Sequence, residues 1–404
     1  MLCLLALAGS LAAGLQAAPG DWPQWRGPAQ DGVSRETGLA AKWPEKGPPE
    51  LWRVPLGAGY SSVAVVAGRA YTMFADKEGE FAVVLDVVDG KSVRKTRLGP
   101  MYHNSYGDGP RATPTLDEGR VYWLGASGEL LCQDAVSGRP IWRFNVLEKF
   151  AAENADYGLA ASPVVMGNML LVVVGGKNGH SLAALDKATG DVHWTSLSDK
   201  AGYATPLHVD VDGSPQIVVL TGVAVVGLAP KDGRELWRVP WKTTLDANVA
   251  TPIFADNRLF VSSGYGTGCA LFSLAVTGPQ AAIEQLWANK RMMNYFSSSV
   301  RLGRHLYGFD NTTLVCMDFQ TGAVKWRQKG FNRGSLLAAD GKLVIYGERA
   351  TLALADASPE KYRELAKADV LDGQTWTVPT LSGGKLFVRN TKELVCLDLR
   401  DKKG

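Results

Sequence analysis

ALDKATGDVHW, residues Ala184 to Trp194, places a small residue, Asp186, Gly190 and Trp194 at fixed offsets, and the same spacing recurs along the chain. CQDAVSGRPIW carries Cys132, Asp134, Gly138 and Trp142, and CMDFQTGAVKW carries Cys316, Asp318, Gly322 and Trp326. Small-x-Asp-x3-Gly-x3-Trp is therefore an internal repeat, so the chain is read as a repeat architecture rather than as several independent domains. Gly supplies the φ > 0 turn between two strands, Asp can bond the turn backbone, and the Trp ring can lie across a neighbouring unit.

Working outward, the text from Glu50 is strand after strand, each of four to seven β-branched and apolar residues followed by a Gly, Asn or Asp turn. Units begin near Thr113-Pro114, Ser162-Pro163, Thr205-Pro206 and Thr251-Pro252, with weaker counterparts at Ser298, Ser335 and Thr377. Starts lie roughly 40 to 50 residues apart, the length of a four-stranded propeller blade. Counted from Ser62, the expectation is an all-β fold: a single eight-bladed β-propeller over residues 50–404.

The copies are unequal. The fourth reads GLAPKDGRELW, with Ala229 in the Asp slot before Gly233 and Trp237, and the fifth carries an insertion between Gly278 and Trp287. The first keeps Asp86 and Gly90 but has Arg94 for Trp, and the seventh keeps Asp356 but offers Glu360 and Glu364 for Gly and Trp. Those two blades are expected to close less tightly. The last copy reaches Cys396 and Asp398 without a following Trp, while ELWRVP at Glu50 to Pro55 has Trp52 without a strand before it. The same six letters recur at Glu235 to Pro240. The N-terminal strand is thus expected to complete the last blade and remove its free edge.

The apolar run MLCLLALAGSLAAGLQAAPG, residues 1–20, reads as a secretory signal, which places the protein in the periplasm or outside the cell. Residues 21–49, rich in Pro, Gly and Trp, read as an extended arm anchored by Trp22, Trp25 and Trp43. No later stretch is long and apolar enough for a membrane span. With 43 basic against 40 acidic side chains there is no charge bias toward nucleic acid. Cys132, Cys316 and Cys396 occupy one slot in three units, where they cannot pair, and read as buried apolar residues.

The docking repeat resembles the tryptophan-docking motif of quinoprotein (pyrroloquinoline quinone, PQQ) propellers. DWPQWRGPAQDG, GDGPRATPT, NVATPIF, SSGYGTGCAL, GSLLAADGKLVIYGE and KLFVRNTKELVCLDLR resemble exported bacterial PQQ-like repeat proteins, a group related to the B lipoprotein of the outer-membrane β-barrel assembly machinery. The resemblance implies the fold, and either a non-catalytic, envelope-associated scaffold or a PQQ-dependent alcohol or sugar dehydrogenase. The dehydrogenases need cationic clamps, a Ca²⁺ site, a carboxylate base and a Cys-Cys pair. This sequence has no Cys-Cys dipeptide, and no Asp or Glu matches the base. The expectation is therefore a binding scaffold for a protein partner or small ligand, with no catalytic residue, no metal and no cofactor; PQQ with calcium belongs to the alternative.

Function is expected on the loops leading into the inner strands, opposite the Asp-x3-Gly turns. Polar candidates there are Arg111, Lys177, Asn248, Tyr265, Asn294, Asp310, Glu348 and Arg389, alongside His103, Asn104, His180 and Arg333. GDGPRA at Gly107 to Ala112 satisfies a dinucleotide fingerprint but precedes a strand and contains Pro110, so it reads as a loop. DVDG at Asp210 to Gly213 has too few ligands for a calcium loop.

Overall fold

The computed structural model describes residues 18–277 and 280–401; most of the leader and Gly278 lie outside the described residues. Eight sheets follow one another around the ring: six are four antiparallel strands in sequential order, the seventh gains a short parallel strand from the arm, and the last takes its outer strand from Glu50–Pro55. The third blade is representative, with strands Val164–Met166, Met169–Val173, Leu182–Asp186 and Val192–Ser196. Its third strand is buried almost throughout, whereas its outer strand is exposed to partly exposed. Inner strands bury both faces because each sheet packs between two others. The one helix among the described residues, Val146–Lys149, is capped by Asn145.

The ring closes as the repeats require. Glu50–Pro55 pairs antiparallel with Glu393–Asp398, setting Trp52 opposite Cys396 with a bulge between Glu50 and Trp52. The same bulge sets Trp142 opposite Cys132 and Trp326 opposite Cys316. These cysteines are buried and free, and burial pushes their thiols up to about 12. They serve as small residues across from an indole.

Four of the docking tryptophans reach the turn between the third and outer strands of the next blade. Trp142 Nε1 donates to Lys187 O (3.3 Å), Trp194 to Pro230 O (3.0 Å), Trp287 to Phe319 O (3.2 Å) and Trp52 to Val87 O (3.0 Å). The turn glycine is required twice over. Gly190, at φ +78°, could not carry a Cβ without meeting the Trp142 ring at 2.9 Å, and Gly322, at +67°, would meet Trp287 at 2.8 Å. The aspartate holds the turn: Asp186 accepts from the N–H groups of Ala188 (2.8 Å) and Thr189 (2.9 Å), Asp134 and Asp318 from their counterparts.

The irregular blades differ from the sequence expectation. Arg94 replaces the indole rather than leaving a gap, its guanidinium donating to Val136 O (2.5 Å) and Ala135 O (3.4 Å) beside Gly138. In the seventh blade the turn is longer, so the Trp slot falls on Ala366, opposite Leu354, rather than on Glu364. Arm residues Leu39 and Trp43 join Ala366 in one apolar cluster there. In the fifth blade Gly268–Thr277 and Gln280–Asn289 form a long hairpin in place of an Asp-x3-Gly turn. Trp237, whose neighbour therefore lacks that turn, donates instead to Gln216 Oε1 (2.7 Å) in its own blade.

The arm crosses the propeller axis. Trp22 bridges to Val65 in the first blade and Pro23 O accepts from Leu116 N in the second. Trp25 Nε1 then donates to Thr251 Oγ1 (2.9 Å) in the fifth, and Arg26 Nη2 to Ser299 O (2.6 Å) in the sixth. Val33–Ser34 adds a parallel strand to the inner edge of the seventh. Arg26 is fully buried among carbonyls, and burial lowers its pKa to about 10.

Candidate functional site

The residue that begins each inner strand explains the recurring Ser/Thr. Thr113 N donates to Ser162 Oγ (2.9 Å), Ser162 N to Thr205 Oγ1 (3.0 Å) and Thr251 N to Ser298 Oγ (2.9 Å). Hydroxyls at this position thus tie the second blade to the third, the third to the fourth and the fifth to the sixth, part of a belt around the axis. Two residues upstream of the belt position in the first seven blades, and one upstream of Thr377 in the last, lies a second register: Tyr60, Arg111, Ala160, Tyr203, Val249, Phe296, Arg333 and Trp376, one per blade. All but Arg333 line a single central cavity of about 180 Å³.

That cavity is walled by aromatic rings. Tyr60 lies 5.7 Å from Trp376, Trp376 lies 5.3 Å from Phe296, and Tyr265 lies 4.8 Å from Tyr295 (ring centroids). Tyr157 packs at 5.5 Å against both Tyr106 and Tyr203. Trp25 of the arm also lines it, with its indole N–H already committed to Thr251. Centroid spacings of 4.5–7 Å are those of favourable offset and edge contacts, so the wall is preformed.

Arg111 is the one charged residue in the lining. GDGP, the fingerprint-like stretch, is a loop with Gly107 and Gly109 at positive φ, and it folds back so that their carbonyls accept from the Arg111 guanidinium. A Cβ at Gly107 would strike the Tyr60 hydroxyl, so only glycine lets this loop approach the wall. The guanidinium lies 4.6 Å from the Tyr102 ring centroid, and burial lowers its pKa. Behind it, Glu80 is 1% exposed and accepts from Ala126 N (3.0 Å) and Tyr102 N (3.4 Å); burial raises its carboxyl to about 7.

Of the eight polar candidates, Arg111 and Tyr265 line the cavity. Glu348 sits behind it, accepting from Trp376 Nε1 (2.8 Å) and lying 4.0 Å from Arg333, whose guanidinium covers the Tyr295 ring. The other five are placed elsewhere. Arg389 is 1% exposed, its guanidinium donating to Met73 O (2.7 Å), Gly57 O (3.0 Å) and Ser61 O (3.3 Å) across the closure seam. Asn248 and Asn294 are buried and donate to backbone carbonyls. Asp310 pairs with Arg327 (2.7 Å), and Lys177 is exposed away from the lining. His103 pairs with Asp108, Asn104 donates to Asp156 O, and His180 contacts Phe150.

Fold and cavity define an eight-bladed propeller with tryptophan-docked blades and an aromatic central funnel. The chain belongs to the family described as outer membrane protein assembly factor BamB, whose model matches residues 47–328. Comparison with the curated proteins returns no match. Among solved structures, BamB from Moraxella catarrhalis is similar at 14% identity and a TM-score of 0.61, covering 85% of this chain and 99% of that one. The quinohemoprotein alcohol dehydrogenase ADHIIG from Pseudomonas putida HK5 is similar at 10% identity and a TM-score of 0.57, covering 94% and 80%. A computationally designed protein, Ika8, reaches 12% identity and a TM-score of 0.61. At these identities the likeness is one of fold.

The quinone cofactor of the dehydrogenase branch is a tricarboxylate held with calcium. The funnel offers one cation, and no carboxylate is among its lining residues. Among the described residues no three His, Cys, Asp or Glu side chains gather into a metal-binding group. The residues present do not fit that cofactor.

Proposed function

We propose that this protein is a non-catalytic binding propeller of the cell envelope, recognising a small ligand or a segment of a protein partner at the central funnel of its loop face. The observation that carries this reading is the convergence of side chains from seven of the eight blades, all from one register just before the hydroxyl positions, onto an aromatic-walled cavity without a catalytic constellation. A preformed concave apolar site with few polar groups is suited to binding. Membership of the BamB family supports the envelope location and a protein partner. Among the described residues no helix is long and apolar enough to cross a membrane, and the apolar leader supports export.

Purified protein mixed with PQQ and Ca²⁺, then assayed for the bound quinone spectrum and dye-linked oxidation of alcohols and sugars, should show neither. Stoichiometric quinone with turnover would overturn the scaffold reading. Crosslinking in the periplasm through a residue placed at Tyr106, on the exposed rim, should capture a partner that is not captured through Val88 on the opposite face, if the occupant is a protein segment.

A further inference from the structure

Resting on the binding reading above, we infer that the funnel selects a small planar aromatic molecule bearing a single carboxylate, with Arg111 as its counter-charge. Size comes first. A dry apolar cavity near 150 Å³ accommodates benzene, so about 180 Å³ admits a one-ring or compact two-ring body. Shape follows from the walls: ring faces and edges from Tyr60, Tyr157, Tyr295, Phe296 and Trp376 surround the space, and a flat aromatic guest can stack or meet them edge-on.

Charge decides the rest. Aromatic cages also hold organic cations, but here the wall itself contains a cation and no carboxylate, so a cationic guest is repelled. Arg111 makes no ion pair within 4.0 Å among the described residues. The acids nearest to it are committed elsewhere. Glu80 is held by two backbone N–H groups, and Asp108 faces His103 at 3.3 Å and accepts from Asn104 N at 3.0 Å. Arg333 at the mouth is offset by Glu348. The funnel therefore presents one largely desolvated positive charge without a direct ion pair, its nearest acids, Glu80 and Asp108, acting on it only from a distance. Such a charge is costly alone and favourable once a carboxylate accepts its free N–H groups. One cation calls for one carboxylate, which separates this guest from a tricarboxylate quinone.

Calorimetric titration of the full chain with indole-3-acetate, indole-3-acetamide and tryptamine tests the assignment. These share one ring system and differ in charge. The acid should bind about tenfold or more tighter than the amide, a difference of about 1.4 kcal/mol, and tryptamine should bind more weakly still. Arg111→Gln should erase the preference for the acid, and Arg111→Lys should keep part of it, as a point charge without the guanidinium fork. Tyr157→Ala should weaken acid and amide alike. Equal binding of acid and amide, both lost in Tyr157→Ala, would overturn the carboxylate assignment while leaving the funnel as a binding site. Failure of all three probes to bind would overturn the assignment; if periplasmic crosslinking at the funnel rim then also captured no partner, the binding reading would fall with it. The acid–amide comparison uses the unaltered protein, so it stands even if a variant fails to fold.

Discussion

The two faces of the ring are built on opposite logics. On the turn face the same letters do the same job: an indole lies on a glycine whose Cβ would collide with it, and an aspartate holds the turn, as at Trp142 with Gly190 and Trp287 with Gly322. On the loop face one register is occupied in every blade but by different residues, from Ala160 to Arg111 to Trp376. Repetition carries the architecture, and variation at a fixed place carries recognition. The closure seam shows how far the first logic extends, because Glu50–Pro55 reproduces in the last blade the register that Glu235–Pro240 has in the fourth.

Deleting Glu50–Pro55 should break the repeated face most severely. It exposes the edge of Glu393–Asp398 and removes Trp52, so loss of the folded monomer is expected by size-exclusion chromatography and circular dichroism. An unchanged melting temperature and monomer mass would show that the seam does not depend on this strand. Next in size, Trp326→Ala removes a ring that is 9% exposed and bonded to Ser358 O; it should cost about 3–5 kcal/mol by denaturant unfolding.

Glu80, behind the funnel wall, makes stability depend on pH. Its carboxyl is raised to about 7 in the fold, from 4.5, chiefly by burial and against the pull of its two N–H donors and of Arg111. A raised carboxyl pKa stabilises the fold below pH 4.5, and that contribution is lost as pH climbs through about 7. The loss is on the order of 3 kcal/mol. Glu80→Gln should remove this component, so the stability difference between variant and parent should shift toward the variant from pH 5 to pH 8. A pH-independent difference would place Glu80 as an ordinary ionised carboxylate. At the small end, Lys177→Ala should change stability by no more than about 0.5 kcal/mol, being exposed, and should leave probe binding unaltered.

The docking face was legible because its letters recur. Asp134, Gly138, Trp142 and their counterparts could be aligned by spacing alone, and the headless ELWRVP at Glu50 revealed the closure. Compensation was not legible. Arg94 bonding two carbonyls of the next blade, and Leu39 and Trp43 packing into one cluster with Ala366, depend on neighbours that meet only in three dimensions. The funnel was legible in place but not in content. Counting two residues back from each Ser/Thr would have picked out Tyr60, Tyr203 and Phe296, and one back from Thr377 picks out Trp376, whereas a search for polar loop residues found Arg111 and passed over the rings. The same search overvalued Asn248, Asn294 and Arg389. Inside a ring of sheets, carbonyls near the strand ends need donors, and these buried side chains supply them.

The division of labour between the faces can be measured by thermal unfolding of Trp326→Ala beside Tyr157→Ala. The expected result is a large fall in melting temperature for Trp326→Ala and, for Tyr157→Ala, a fall corresponding to no more than about 1 kcal/mol. Equal falls would contradict the separation of a structural face from a recognition face.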